Sequence, residues 1–188
     1  MKINLLITGG LGYVGSFTAK NILNRNKKKT YVIDNLSRGN VFAKKYSNYE
    51  ILNVSDKKVQ KFIQNKKINT ILHLAALTCV RESINNRDKY YKNFKSQLRF
   101  IELLKKTNIK YFIFSSSLSV YEGNKLKKNL SPYSNYKLRL ERFLKKNSSK
   151  NFKVIVLRYP NIIGSDPSGK LGEKNNFISR IVPFFYKN

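Results

Sequence analysis

The chain has 188 residues, of which 41% are hydrophobic and 26% charged, and these values are typical of one globular domain rather than a disordered segment. It carries 38 Lys and Arg against 10 Asp and Glu, a formal net charge of +28. Only nine of these cations are arginine, and the lysines are scattered. We therefore interpret the charge as compositional drift at surface positions; nucleic acid is not the expected partner but stays open as an alternative.

Cysteine and histidine usage narrows the chemistry further. Cys79 is the single cysteine, which excludes an intrachain disulfide, and with a single histidine no zinc site is expected. No segment reaches the ~20 apolar residues that a membrane-spanning helix needs, and the N-terminal apolar run is too short for a signal peptide. We therefore expect a cytoplasmic protein with no membrane partner.

The first predicted elements are a strand, a glycine turn and a helix. Ile3–Ile7 is an apolar run, and three glycines follow it at a spacing of three (Gly9, Gly12 and Gly15). Val14 then opens a helix that continues through Phe17–Leu23. A strand that turns tightly into a helix presents free backbone N–H groups and the positive end of a helix dipole, which favour a phosphate.

A carboxylate follows at the spacing that a dinucleotide site needs. Asp34 ends the next apolar run, Tyr31–Ile33, 19 residues after Gly15. Folds that bind dinucleotides place an acidic residue at about this distance to bind a ribose hydroxyl. Strand, turn, helix, strand and terminal carboxylate in this order predict a dinucleotide site.

The rest of the chain alternates strands and helices. The predicted strands are Glu50–Val54, Thr70–Ala76, Tyr111–Ser115 and Lys153–Leu157, and the predicted helices are Asp56–Lys66, Asp88–Lys106 and Ser134–Lys146, with a loop at Asn124–Pro132. The strands are apolar without alternation, which predicts an α/β fold of the Rossmann type, with a doubly wound parallel sheet and helices on both faces. The apolar stripe of the long helix is predicted to be Tyr91, Phe94, Leu98, Ile101 and Leu104.

A Tyr-x-x-x-Lys pair stands at the start of the last predicted helix. Tyr133 and Lys137 are four residues apart, so both can project from one helical face into the same cleft. A tyrosine hydroxyl has an ordinary pKa near ~10, and a nearby ammonium brings it toward the working range of a general base. Ser117 lies at the carboxyl end of the preceding strand, where open α/β sheets bind ligands. For Ser115 and Ser116 we favour a purely structural role.

These motifs together resemble the extended short-chain dehydrogenase/reductase family and, within it, the UDP-glucose 4-epimerase family. The resemblance rests on order and spacing over essentially the whole chain. The matching pieces are Thr8–Ser16, Asp34-Asn35, His73–Ala76, Phe114–Ser117 with Val120-Tyr121, Tyr133-x-x-x-Lys137, Leu157–Asn161, and Gly164–Gly169 with Gly172-Glu173.

The resemblance implies an NAD cofactor and a UDP-sugar substrate. It implies that Tyr133 takes the proton from the sugar 4-hydroxyl, that Lys137 holds the nicotinamide ribose, and that Ser117 bonds the 4-oxygen. A 4-keto sugar would then turn over in the site and be reduced on its other face. The residues implied to bind the cofactor are Gly9, Gly12, Tyr13, Val14, Gly15, Asp34, Asn35, Asn53, Ala75, Asn93, Tyr133, Lys137 and Tyr159. Those implied to bind the substrate are Ser117, Tyr133, Asn161 and Asn176.

The sequence also departs from the family pattern. Asn53 stands where the family has an acidic residue near the adenine, Gln97 stands where it has glycine, and the loop from Tyr121 to Tyr133 is shorter by roughly nine residues. We expect the dinucleotide domain to span 1–164, and 165–188 to begin a substrate region that is mostly missing. The alternatives left open are a homodimer or a complementing C-terminal polypeptide, and a non-catalytic NAD-binding remnant or another nucleotide-sugar epimerase.

Overall fold

The computed structural model describes residues 3–26, 30–39, 41–46, 48–122, 125–126 and 128–173. The strands are β1 (Leu5–Thr8), β2 (Thr30–Asp34), β3 (Asn48–Ile51), β4 (Thr70–His73), β5 (Tyr111–Ser117), β6 (Tyr121–Glu122), β7 (Lys125–Leu126) and β8 (Lys153–Tyr159). The helices are α1 (Tyr13–Asn26), α2 (Lys57–Asn65), α3 (Val80–Asn85), α4 (Arg87–Leu104) and α5 (Pro132–Asn147), with short 3₁₀ helices at Val41–Tyr46 and Leu118–Val120.

Six strands form one parallel sheet in the order β3-β2-β1-β4-β5-β8. From β1 the chain adds β2 and then β3 on one side of β1. It then crosses to the other side of β1, where β4, β5 and β8 follow. The carboxyl ends of β1 and β4 therefore form the switch point at which open α/β sheets bind ligands. This topology confirms the Rossmann-type fold that the sequence predicts.

Helices cover both faces of this sheet. Neighbouring strand residues point to opposite sides, so Leu6 and Ile33 pack with α2, α4 and α5, whereas Ile7 and Val32 pack with α1. The first face holds the large aromatic side chains Phe100, Phe112 and Phe114, which are fully buried. Burial of side chains of this size is the main stabilising contribution to such a core.

The face that α1 covers is completed by a segment from the other end of the described chain. Leu171 is fully buried in the same cluster as Leu11 and Ala19. Asp166 is paired with Lys20 of α1, and its carboxylate accepts from the Leu171 backbone N–H at 2.7 Å and from the Ser168 hydroxyl at 2.6 Å. Residues 164–173 thus pack directly on α1. The predicted boundary at 164 stays a prediction.

Several strand bounds differ from the prediction. β3 begins two residues earlier than Glu50 and ends at Ile51, because its pairing with β2 sets the register and all four of its residues are exposed. β4 ends at His73 rather than Ala76, because the chain there turns against Gly9. The last two strands each extend two residues further, and Ser115–Ser117 pair in register with Leu157–Tyr159.

Three features of the middle of the chain were predicted wrongly or missed. A small hairpin, β6–β7, was missed: β6 precedes the expected loop at Asn124–Pro132, and β7 lies within it. α3, a helix of six residues, was not predicted because it is too short to show a period; the Cys79 thiol accepts from the Glu82 backbone N–H at its start. Tyr91, which was predicted on the apolar stripe of α4, is 44% exposed, and Tyr90 is buried instead. The buried face of α4 is turned toward Tyr90 and Gln97, and the polar Gln97 was not counted in the predicted stripe.

Candidate functional site: the carboxyl edge of the sheet

The glycine turn between β1 and α1 uses its glycines for two different purposes. Gly9 has φ +68°, and a Cβ there would lie 2.7 Å from the Ala75 backbone. A Cβ at Gly15 would lie 2.2 Å from the Gly9 carbonyl oxygen, so both positions are closed by packing. A Cβ at Gly12 would meet only the Gly9 oxygen, at 3.2 Å. The surface of Gly12 is otherwise open, and it lies directly before the N-terminus of α1, where a phosphate binds best.

Asp34 joins the end of β2 to this turn. Asp34 is 7% exposed, and its carboxylate accepts from the Leu11 backbone N–H at 3.0 Å and from the Leu36 backbone N–H at 2.8 Å. Burial raises the pKa of Asp34, and these backbone donors work against that rise. The Gly12 and Asn35 backbone N–H groups also face the carboxylate, and a ribose hydroxyl would donate to a remaining lone pair. The structural link to Leu11 was not foreseen from the sequence.

Tyr133 and Lys137 lie together at the start of α5. Ser131 caps the helix by accepting from the Ser134 N–H at 3.2 Å, and Tyr133 follows in the first turn, 8% exposed. The Lys137 side chain is 4% exposed, and its Nζ lies 5.9 Å from the centre of the Tyr133 ring. The predicted juxtaposition on one helical face is therefore present.

The Lys137 ammonium is held by the sheet. Its Nζ donates to the Ser115 carbonyl oxygen at 2.6 Å and lies 4.9 Å from the centre of the Phe114 ring. Burial lowers the pKa of Lys137 to about 8, and the charge of Glu141 works in the opposite direction. The side chain is therefore mostly charged at pH 7, close to the point at which it loses its proton.

The three serines at the end of β5 have separate environments. The Ser117 hydroxyl accepts from the Ser119 backbone N–H at 3.1 Å and is half-buried, opposite Tyr159 in the register. Ser116 is buried and its hydroxyl donates to Glu141, which also accepts from Arg158 at 3.0 and 2.6 Å. Ser116 therefore has the structural role that we favour for it.

The other predicted site residues fall into three groups. Near the glycine turn, the Tyr13 hydroxyl donates to the Gly164 carbonyl at 2.7 Å, and Asn35 is exposed and accepts from the Ser37 N–H at 3.1 Å. Val14 lies in the first turn of α1, and Ala75 lies against Gly9. On the catalytic side, burial raises the pKa of Tyr159, and Asn161 is exposed just beyond it.

The third group consists of three asparagines, Asn93, Asn53 and Asn176, of which the structure describes the first two. Asn93 is half-buried and accepts from the Leu77 backbone N–H at 3.4 Å, in the loop after β4. Asn53 is exposed after β3 and accepts from the Ser55 hydroxyl at 3.0 Å and from the Ser96 hydroxyl at 3.3 Å. Asn176 lies outside the described residues.

A buried polar group that the sequence did not indicate lies between β4 and α4. His73 Nδ1 is 2.7 Å from the Thr8 hydroxyl, and burial lowers the pKa of His73 to about 3, so the ring is neutral. Gln97 donates to the Asn93 side chain at 2.7 Å. Gln97 lies beside the His73 ring and works to raise its pKa, but within the part of the chain that the structure describes, His73 Nε2 and Gln97 Oε1 are buried without a hydrogen bond of good geometry. Gln97 follows Phe94 by three residues and so shares its helical face, and a polar residue at that spacing is the signal that could have found this group.

α3 contributes two more residues that sequence reasoning missed. The Ser83 hydroxyl accepts from the Tyr133 backbone N–H at 3.2 Å, which fixes the start of α5. Glu82 is paired with Arg38 and accepts from Lys89 Nζ at 2.7 Å and from the Tyr90 hydroxyl at 2.9 Å. In the sequence, these two residues lie between the predicted strand Thr70–Ala76 and the predicted helix Asp88–Lys106, where no element is predicted, and only their polar character indicates a role.

Two features are absent from the described residues. Among them, no group of three or more His, Cys, Asp or Glu side chains is placed to hold a metal ion. Nor does any helix in the described ranges combine the length and the apolar character needed to cross a membrane.

The parallel sheet, the glycine turn at its switch point and the carboxylate after β2 define a dinucleotide-binding protein of the Rossmann class. The pattern of the NAD dependent epimerase/dehydratase family matches residues 5–187, and the chain belongs to this family.

Known proteins similar to the chain include several sugar-nucleotide epimerases. A UDP-glucose 4-epimerase of Pasteurella multocida is 31% identical over 96% of this chain and 60% of its own length. A probable UDP-arabinose 4-epimerase of Arabidopsis thaliana is 34% identical over 90% of this chain and 46% of its own length. The crystal structure of UDP-glucose 4-epimerase from Brucella ovis in complex with NAD superposes with a TM-score of 0.84 at 28% identity, over 92% of this chain and 56% of that one. The chain therefore spans about half to three-fifths of the length of the relatives that it matches.

Proposed function

We propose that the chain binds NAD and carries the catalytic residues of a UDP-hexose 4-epimerase, with UDP-glucose and UDP-galactose as the substrate pair. The observation that carries the proposal is the placement of buried Tyr133 and Lys137 beside the end of β5, on the same sheet edge as the glycine turn. The relatives that bear epimerase names support the reaction type.

The residues present fit an NAD molecule. Gly12 leaves open the surface on which a pyrophosphate would rest, and the Asp34 carboxylate stands at the end of β2 for the adenosine ribose. When bound, NAD would supply the acceptor and later the donor of the hydride at C4 of the sugar. The remaining work is proton transfer and orientation by side chains of this chain.

Tyr133 would act as the general base. Its phenol oxygen would take the proton of the sugar 4-hydroxyl as the 4-keto sugar forms, and return it when the keto group is reduced. Lys137 would favour the deprotonated phenol oxygen by its positive charge, and its bond to the Ser115 carbonyl fixes that charge in place. Ser117 would donate a hydrogen bond to the 4-oxygen while its own oxygen accepts from Ser119.

Conversion of UDP-galactose to UDP-glucose in the presence of NAD tests the proposal. Tyr133→Phe is expected to lower the rate by about 10²- to 10⁴-fold, the range for loss of a general acid or base. Tyr136→Phe is the matched control, since Tyr136 is on the same helix and its ring stacks on Phe94 at 4.8 Å. NAD binding is measured separately by calorimetry.

The outcomes separate the two halves of the proposal. Failure of the chain to bind NAD contradicts the cofactor assignment. Binding of NAD with no conversion, in the wild type and in Tyr133→Phe alike, contradicts the catalytic assignment and favours a non-catalytic NAD-binding protein.

We also propose that a homodimer forms through α4 and α5. The support is an aromatic surface shared by the two helices, in which exposed Tyr91 lies 6.2 Å from Tyr136, ring centre to ring centre. Light scattering at micromolar concentration checks this, and a monomer would contradict it.

A further inference from the structure

An ion pair crosses the sheet edge where the dinucleotide site lies. Arg38 is in the turn after β2, and Glu82 is in α3 after β4; their side chains form a salt bridge. β2 and β4 are the two neighbours of β1, the strand from which the glycine turn leaves. The pair therefore links the turn after β2, where the adenosine would bind, to α3, which follows β4 on the opposite side of β1.

Arg38 belongs to the same turn as the carboxylate that would bind the adenosine ribose. The next residue, Gly39, packs against Asp34, since a methyl group there would lie 3.2 Å from Asp34 Oδ1. In dinucleotide-binding folds a carboxylate at this place selects the ribose 2′-hydroxyl of NAD, whereas a nearby arginine accommodates the 2′-phosphate of NADP. The planar guanidinium is well suited to a phosphate. This turn therefore contains one group of each kind.

Glu82 is built to hold the guanidinium. Its side chain is 11% exposed and accepts from three donors, Arg38 in the turn after β2 and Lys89 and Tyr90 in the first turn of α4. Burial works to raise the pKa of Glu82, but the hydrogen bonds from Lys89, Arg38 and Tyr90 prevail and lower it to about 2. The carboxylate therefore stays charged over the whole range in which a nucleotide would bind.

We propose that Glu82 is a residue that determines cofactor specificity, because it draws the Arg38 guanidinium toward α3 and away from the position of a 2′-phosphate. NADP is then rejected twice: Asp34 repels the phosphate, and the cation that could bind it is neutralised elsewhere. This inference rests on the proposed binding of NAD. Glu82 acts through Arg38 and is not itself a contact of the reacting atoms.

The test is titration of the purified chain with NAD and with NADP by isothermal calorimetry, with the ratio of the two Kd values as the readout. Glu82→Gln keeps the shape of the side chain but removes the charge that attracts the arginine, and it is expected to shift the ratio toward NADP by about tenfold, the value of one charge-assisted hydrogen bond. The double variant Arg38→Met/Glu82→Gln should return the ratio to that of the wild type. Lys89→Met is the matched control, since it removes another cation from Glu82 and leaves the Arg38 pair intact.

Each outcome bears on the inference. NAD binding with the same ratio in Glu82→Gln as in the wild type overturns it, and so does a gain that persists in the double variant. Arg38→Met alone gives a second test that does not depend on the folding of Glu82→Gln. It should leave the NADP affinity unchanged, and a loss would show that Arg38 already reaches the phosphate, contrary to the proposal. A wild-type chain that binds neither nucleotide contradicts the proposed function itself.

Discussion

The cofactor side and the catalytic side of the site are held in opposite ways. Around β1, α1 and β2, the backbone packs so closely that Gly9 and Gly15 have no room for a methyl group. Around β5, α5 and β8, it depends on buried polar side chains, in which Glu141 accepts from Ser116 and Arg158, and Lys137 donates to the sheet. We therefore expect larger side chains to destabilise the first region, and loss of polar side chains to destabilise the second.

The largest effect is expected from adding one methyl group on the cofactor side. Gly15→Ala places a Cβ 2.2 Å from a backbone oxygen that cannot move aside, so the free energy of unfolding should fall by about 3 kcal/mol or more. Gly12→Ala is the matched control, since its Cβ meets only one atom at 3.2 Å. It should cost less than about 1 kcal/mol yet weaken NAD binding. Urea unfolding and calorimetry measure the two quantities, and equal destabilisation by both variants would contradict the division between packing and binding glycines.

A smaller loss is expected on the catalytic side when one charge is removed. Arg158→Met removes the ion pair of the Glu141 carboxylate, whose side chain is 9% exposed, and leaves it the Ser116 hydroxyl bond and the more distant charges of Lys137 and Arg142. Because an unpaired buried charge is costly and Arg158 is itself partly exposed, we expect the free energy of unfolding to fall by about 2 kcal/mol. Adding Glu141→Leu should recover most of that loss. If the double variant is as unstable as Arg158→Met, the unpaired carboxylate is not the cause.

Lys137 gives the catalytic side a pH dependence at alkaline pH. Its pKa is about 8 in the folded chain and 10.5 ordinarily, so between these values the unfolded chain binds more protons than the folded one. Stability should therefore rise with pH through this window, by about 3 kcal/mol relative to Lys137→Met, and the penalty of the buried charge is fully present below pH 8. Thermal unfolding of both proteins from pH 7 to 10.5 measures the difference. Parallel curves would contradict it.

The smallest effect should follow release of the segment that packs on α1. Lys20→Met removes the cation paired with Asp166, the main cause that holds the pKa of that carboxyl below its usual range. We expect cleavage within 164–173 by a protease to become several-fold faster with little change in global stability, since local opening needs only local contacts to break. Lys170→Met, an exposed lysine of the same segment, should cleave at the wild-type rate.

The cofactor side was the more predictable from sequence. A glycine spacing and a carboxylate at a fixed distance are local patterns, and the fold places Gly12 and Asp34 where those patterns predict. What could not be predicted was contact across the chain, such as the bond from the Leu11 N–H to Asp34, or the approach of Ala75 to Gly9.

The catalytic side was predicted in its residue types but not in its support. The spacing of Tyr133 and Lys137 gave their shared face, but nothing local indicates that Ser83 accepts from the backbone of Tyr133. Ser83 is in α3, a helix too short to show a period, 50 residues earlier in the chain. A hydrogen-bond partner that is set by tertiary packing cannot be recognised from the sequence around either residue.

The contact of residues 164–173 with α1 also has a consequence for the order in which the protein folds. Lys20 and Asp166 are 146 positions apart, and Leu171 fills the face between Leu11 and Ala19. As the chain leaves the ribosome, the first strand and helix are complete long before Leu171 emerges, so their apolar surface stays uncovered during most of synthesis. Closing so long a loop is slow, and this face of the sheet should be among the last parts of the protein to become protected.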